Sequence, residues 1–230
     1  MSSRRGKFIT FEGLDGCGKS TQMEILAAKL RERGLAITVT REPGGTPTGE
    51  QIRQILLDTK TSGLSTKAEL ALMFASRAQH IEEVLLPALA AGNIVLCDRF
   101  TDSSEAYQGG GRKLGSAPVL ELHRVLCRNL QPDLTILMDS DVAACVDRAR
   151  RRNRARANSD LSDESRFERE NRAFFSRVRT AYLEIAKREP ERVIVVDARG
   201  TPEQTHSRLL DLVNEKFGLL NSAVKARNVG

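Results

Sequence analysis

Residues Gly13-Leu14-Asp15-Gly16-Cys17-Gly18-Lys19-Ser20 satisfy the pattern G-x-x-x-x-G-K-S/T. The chemistry of such a loop is phosphate binding. Its glycines let backbone N–H groups turn inward around an anion, Lys19 adds a point charge, and the Ser20 hydroxyl can reach Mg2+. The loop must stand between a strand and the positive end of a helix. Both are expected here: Lys7 to Glu12 (KFITFE) is a β-branched and aromatic run, and from Ser20 apolar residues recur at helical spacing as far as Gly34. The segment implies a bound nucleoside triphosphate, with Mg2+.

The remaining elements must carry this loop. Ala36 to Thr40 (AITVT) predicts a second strand, after which Gly44, Gly45, Pro47 and Gly49 interrupt the pattern before a helix over Glu50 to Leu57. Thr66 with Glu69 reads as a capping box opening a long helix, kinked at Pro87 and stopped at Gly92. Ile94 to Cys97, Leu134 to Met138 and Val193 to Val196 are unbroken apolar runs, as expected of strands buried on both faces. The alternation predicts an α/β chain with a P-loop NTPase fold: a five-stranded parallel sheet with helices on both faces. Ligands then gather at the carboxyl ends of the strands, where Gly13, Arg41, Asp98, Asp139 and Asp197 fall.

Composition narrows the class. A chain of 230 residues, 40% hydrophobic and 29% charged, is expected to form one domain over 1–230 rather than a disordered or fibrous chain. The net charge of +6 admits nucleic acid, an anionic membrane or phosphorylated small molecules as partners. The sequence holds neither a membrane-length apolar run nor a signal-peptide core, so a cytoplasmic protein with no membrane partner is expected. Four scattered cysteines and three distant histidines offer no disulfide framework or metal cluster. Without an N-K-x-D motif, a regulatory GTPase is disfavoured, and a small enzyme moving phosphate between nucleotides remains.

Eleven arginines lie between Arg148 and Arg179, a density that alone would read as a nucleic-acid arm. Acidic residues interrupt the run, however, and no aromatic side chain is interleaved before Phe167. A mobile Arg-rich lid over ATP, at about 148–170, accounts for more, and no nucleic-acid partner is expected. The polar tail 221–230 is expected to fray.

Thr40-Arg41-Glu42-Pro43-Gly44-Gly45-Thr46, Asp98-Arg99-Phe100, Ser103-Ser104 and Ala106-Tyr107-Gln108-Gly109-Gly110-Gly111 closely resemble motifs of the bacterial thymidylate kinase family. The resemblance runs in order along nearly the whole chain. It implies that a homodimer transfers the γ-phosphoryl of ATP to dTMP, giving dTDP on the way to dTTP for DNA replication. It places ATP on Gly13 to Ser20 with Thr21, and Arg148 over the adenine. Asp15, shorter than the Glu of many relatives, falls beside the sugar and the reacting phosphates. Glu42 falls near the reaction centre, Arg53 and Arg99 at the acceptor phosphate, and Ser20 with Asp98 at Mg2+. Ser103, Ser104 and Gln108 surround base and sugar, and Tyr107 closes where a ribose 2′-hydroxyl would lie. Because the loop's Leu14, Asp15 and Cys17 are non-basic, the resemblance implies a catalytic arginine from the lid, with Arg154, Arg156 and Arg166 as candidates.

One position departs from the family. Relatives place a base-stacking Phe four residues before the base-binding Arg; here Arg77 is preceded at four by Met73 and at three by Phe74. Either Phe74 stacks after a small helix rotation, or Met73 packs on the base and Phe74 enters the core. The aromatic Phe74 is the preferred reading.

Overall fold

β1 (Phe8–Glu12) is buried along its whole length because it forms the middle of a five-stranded sheet in the order β2-β3-β1-β4-β5. The computed structural model describes residues 5–59, 61, 63–157 and 166–219. β2 is Ile37–Arg41, β3 Ile94–Asp98, β4 Leu134–Asp139 and β5 Val193–Asp197. All four pairings are parallel, and their register sets Arg41 opposite Asp98 and Asp139 opposite Asp197. From β1 the chain builds β2 and β3 on one side and later β4 and β5 on the other. The loop leaving β1 therefore opens at the topological switch point, where parallel sheets bind ligands.

Alternation along the strands supplies two cores. Ile9 and Phe11 pack in a cluster with Leu26 and Leu30 of α1 (Lys19–Glu32), Val178 and Ile185 of α8 (Arg172–Arg188), and Leu209 of α9 (Pro202–Phe217). Phe8 joins Val95 and Cys97 in the other cluster, against Leu70 and Phe74 of α3 (Thr66–His80) and Val119 of α6 (Ser116–Leu126). The unbroken apolar runs of β3 and β4 are covered as expected. The run of β5 is not: it is an edge strand, and Val195 is 44% exposed.

Local chemistry explains the other departures. α2 (Pro47–Leu57) starts three residues before the expected Glu50, since Thr46 caps it by accepting from the Gly49 N–H and Pro47 needs no donor partner in the first turn. The N-cap of α3 is Ser65, accepting from the Ala68 N–H, and Glu69 faces inward instead of closing a capping box. The expected long helix is divided: a π-helical turn at Ile81–Leu85 separates α3 from α4 (Leu86–Ala90). That wider turn lies where the Pro87 ring would crowd a regular helix. A short α5 (Thr101–Ser104) and a second π-helical turn (Glu105–Gly111) follow β3, and α7 (Val142–Ala157) follows β4.

Candidate active site

The phosphate loop is pinned between β4 and α7. Gly13 has φ +128°, and a Cβ there would stand 2.4 Å from the Met138 carbonyl oxygen; at Gly16, φ +80°, it would stand 2.3 Å from that of Cys145. Only glycine fits either position. Gly18, also left-handed, opens α1 without a side-chain cap, so the N-cap residue supplies no acceptor to the first-turn N–H groups there. Leu14 and Cys17 fill the core beneath. Burial pushes the Cys17 thiol up, which argues against a reactive thiolate at this helix start. Lys19 is 5% exposed and donates to the carbonyls of Leu14 (2.9 Å) and Gly13 (3.2 Å). Across the loop, Arg148 Nε donates to the Gly16 carbonyl at 2.6 Å.

The residues present suit Mg2+. Ser20 Oγ donates to Asp98 Oδ2 at 3.0 Å, while Asp98 Oδ1 is buried without a partner among the described residues. A hydroxyl beside a carboxylate with an unused oxygen is a donor set for a hard cation that keeps water and phosphate oxygens as its other ligands.

Beside the loop lies a cavity walled by Asp15, Glu42, Arg53, Met73, Arg77, Arg99, Ser103, Ser104, Tyr107, Gln108 and Arg152. Arg99 organises its floor. This residue adopts φ +73°, unusual for a bulky side chain. Its guanidinium donates to Asp15 Oδ1 (2.9 Å), Ser103 Oγ (2.9 Å), the Tyr182 hydroxyl (3.1 Å) and the Tyr107 hydroxyl (3.2 Å). Burial opposes the charge of Asp15, yet Arg99 and then Lys19 hold its carboxyl well below the usual range. Arg53 donates to the Pro43 carbonyl at 3.0 Å.

A second buried network holds Arg77. Its Nε donates to Glu42 Oε2 at 2.6 Å and its Nη2 to Ser104 Oγ and the Phe100 carbonyl, whereas Nη1 is buried without a partner among the described residues. Glu42 Oε1 meets His80 Nδ1 at 2.8 Å. Burial disfavours the Glu42 charge, but Arg77 and His80 outweigh it and lower its pKa. Arg77 Nη1 is thus an unused donor on a residue that lines the cavity.

Sequence reasoning overlooked four residues of this site. Glu12, at the end of β1, is fully buried; it accepts from the Phe100 N–H (2.7 Å), Ser103 Oγ and the Tyr182 hydroxyl (3.0 Å). Burial, with the Asp102 charge, pushes its carboxyl up to about 7. Its place at the carboxyl end of the central strand was a usable signal. Tyr182, 170 residues away, gave none, nor did Arg152, one of the run on α7. Glu69, read as a cap, is the fourth.

The structure corrects two assignments. Phe74 is 0% exposed and lies in the core, its ring 4.7 Å from the Arg77 guanidinium carbon; Met73, one step round the helix, lines the cavity. Arg166 does not line it. Its Nη2 stands 2.8 Å from Glu69 Oε2, its backbone N–H donates to the Leu57 carbonyl at 3.2 Å, its Nε donates to the Leu56 carbonyl, and its guanidinium carbon is 4.5 Å from the Phe167 ring centre. A buried carboxylate has claimed the charge assigned to catalysis. The side chains of Arg154 and Arg156, like residues 158–165 and the tail 221–230, lie outside the described residues.

The other strand-end charges are also engaged: Arg179 grips Asp139 through two bonds, Arg199 grips Asp197, and Arg41 binds Glu50. Several arginines of the dense run thus serve internal contacts.

A parallel sheet with a phosphate loop at its switch point defines a P-loop NTPase, and the arginine-lined cavity against the loop gives it room for a second anionic substrate. Comparison with known proteins agrees. Residues 11–209 match the family model for thymidylate kinase. The chain is 48% identical to a thymidylate kinase of Trichlorobacter lovleyi over 92% of its length and 99% of the relative's. It is 47% identical to one of Pseudomonas syringae over 93% and 98%. The crystal structure of thymidylate kinase from Ehrlichia chaffeensis superposes with a TM-score of 0.72 at 31% identity, covering 91% of this chain and 99% of the other. The chain belongs to the thymidylate kinase family.

Proposed function

We propose that the chain transfers the γ-phosphoryl group of ATP to dTMP in this cavity, giving ADP and dTDP, within a single domain. The observation that carries the assignment is the seam between the two sites. Asp15 belongs to the phosphate loop and also lines the cavity, and Arg99 binds it at 2.9 Å. A phosphate held by Arg99 and Arg53 therefore lies against the loop that cradles the donor. Two guanidinium forks both hold and orient a dianion.

At the other end, Arg77 Nη1 offers its donor to a base carbonyl, Met73 packs on the base, and Tyr107 closes on the sugar where a 2′-hydroxyl would stand. Deoxy preference is then steric. The acceptor phosphate is already ionised, so no strong general base is required, and positioning with charge neutralisation lowers the barrier. Lys19 exchanges its loop carbonyls for ATP phosphates; Arg148 covers the donor side. Arg152 on α7 faces the cavity and joins Arg154 and Arg156 as a source of lid charge. Mg2+, held by Ser20 and Asp98, would neutralise charge on the ATP phosphates. Lid closure excludes water and so limits ATP hydrolysis.

A coupled ADP assay with dTMP, dUMP, dCMP, dGMP and thymidine tests the reading. Turnover is expected to be highest with dTMP; activity confined to thymidine would overturn it. A homodimer is part of the same reading, supported by exposed Leu120, Val125 and Leu126 on α6 and checked by light scattering. Among the described residues no helix is long and apolar enough to cross a membrane, and a cytoplasmic location is proposed.

A further inference from the structure

Glu69 is a buried carboxylate outside the reacting centre that accepts three side-chain hydrogen bonds among the described residues. It is 1% exposed and does not line the cavity. Its Oε1 accepts from Gln108 Nε2 at 2.9 Å and from Arg112 Nε at 3.1 Å. Its Oε2 accepts from Arg112 Nη2 at 3.1 Å, with Arg166 Nη2 at 2.8 Å in ion-pair range but off the hydrogen-bonding axis. Burial opposes ionisation, but the bonds from Arg112 and Gln108, with the charges of Arg112 and Arg166, hold the carboxyl below its usual range. It is thus an acceptor only.

That fact fixes the orientation of a neighbour. Gln108 lines the cavity, and its amide can present either end. An ionised carboxylate repels a carbonyl oxygen and binds an N–H, so the amide nitrogen must turn to Glu69. The carbonyl oxygen, bonded to no donor among the described residues, is left for the cavity. Arg77 also lines the cavity and has one buried nitrogen, Nη1, without a partner among the described residues, so this end of the cavity pairs one acceptor with one candidate donor. Thymine and uracil present a carbonyl at C4 and an N–H at N3; cytosine presents an amine and a bare nitrogen, the reverse pattern.

We propose that Glu69 is a specificity-determining positioning residue: by fixing the Gln108 amide with its oxygen toward the cavity, it makes the base end select an N3–H donor and reject an unprotonated N3. This rests on the assignment of the cavity to the pyrimidine nucleotide. Glu69 itself touches no substrate. A cytosine base meets an acceptor facing an acceptor, and relieving that by flipping Gln108 sets oxygen against carboxylate.

The test is the ratio of kcat/KM for dTMP over dCMP in wild type, Glu69→Gln and Gln108→Leu. The amide of Glu69→Gln can donate, permitting the Gln108 flip, so the ratio is expected to fall about 10-fold or more. A merely structural role would lower both substrates together and leave the ratio unmoved. In the Gln108→Leu background, adding Glu69→Gln should change the ratio no further. Should Glu69→Gln not fold, the wild type decides through the Gln108 side-chain amide resonances in 15N-labelled protein, assigned with Gln108→Leu. Amide protons that shift little on dTMP binding support the proposal; large shifts, which place the NH2 against the base, overturn it. An unchanged ratio in an active, folded Glu69→Gln overturns the inference alone, whereas a wild type without dTMP turnover overturns the functional assignment and the inference with it.

Discussion

The two walls of the active site are built differently. On the acceptor side, Arg99 and Arg77 are held mainly by side chains, Arg99 by Asp15, Ser103, Tyr107 and Tyr182, and Arg77 by Glu42 and Ser104, while Arg53 rests on the Pro43 carbonyl. On the donor side, cations rest on backbone carbonyls: Lys19 on Gly13 and Leu14, Arg148 on Gly16, Arg151 on Asp147. The first arrangement is preorganised, because the protein has already met the cost of burying those charges by pairing them. The second consists of neutral acceptors that a phosphate readily displaces. Substitution of the paired Arg99 or Arg77 should therefore damage the fold, and substitution of the donor-wall cations should damage turnover alone.

The strongest way to break this contrast is Arg77→Met. It leaves Glu42, 3% exposed, with the His80 ring as its remaining side-chain partner among the described residues, and an expected loss of about 3–5 kcal/mol in urea denaturation. A loss below about 1 kcal/mol would show that the acceptor wall is not held by this pair. Lys19→Ala is the counterpart on the donor side. It should lower kcat roughly 10²- to 10³-fold while the denaturation midpoint stays near wild type; a cooperative loss of stability would mean that its carbonyl contacts hold the loop together.

Glu12 sharpens the contrast through pH. Its carboxyl titrates near 7 in the folded chain against an ordinary value of 4.5, so between those values the folded state binds a proton that the unfolded state has released. The resulting stability is fully present below the ordinary value and is lost as pH rises through 7. Glu12→Gln removes this dependence, and between pH 5 and pH 8 the variant should gain roughly 2–4 kcal/mol relative to wild type. Parallel stability curves would contradict the burial of that charge. The smallest expected effect is at Met73. Met73→Ala should raise the KM for dTMP about 5- to 10-fold with little change in stability, while Phe74→Ala should destabilise the core with KM preserved in the folded fraction. The opposite pattern would restore Phe74 to the base.

What was legible in the sequence follows from the range of the interactions concerned. The strands, the phosphate loop and most helix positions were readable because period, glycine placement and capping act over a few residues. Thr66 and Glu69 show the limit of that logic. The spacing of a capping box was present, yet Arg112 and Gln108 offer Glu69 stronger bonds than a backbone N–H in water, and Ser65 capped the helix instead. Met73 and Phe74 show another limit: neighbours on a helix differ by about 100° of rotation, and only the packing of α3 against Phe8 and Phe100 says which of them faces the cavity.

The sequence by itself determined that this chain folds as a parallel α/β sheet, carries the phosphate-loop pattern at Gly13 to Ser20, and belongs with the nucleotide kinases. Tertiary structure decided which charges remain available to a substrate. Arg166 goes to Glu69, Arg179 to Asp139, and Arg99 to a cluster that includes Tyr182 and, through Ser103, Glu12. The physical reason is that a charged side chain takes the nearest compensating partner in the folded chain, and which partner is nearest depends on segments separated by as many as 170 residues.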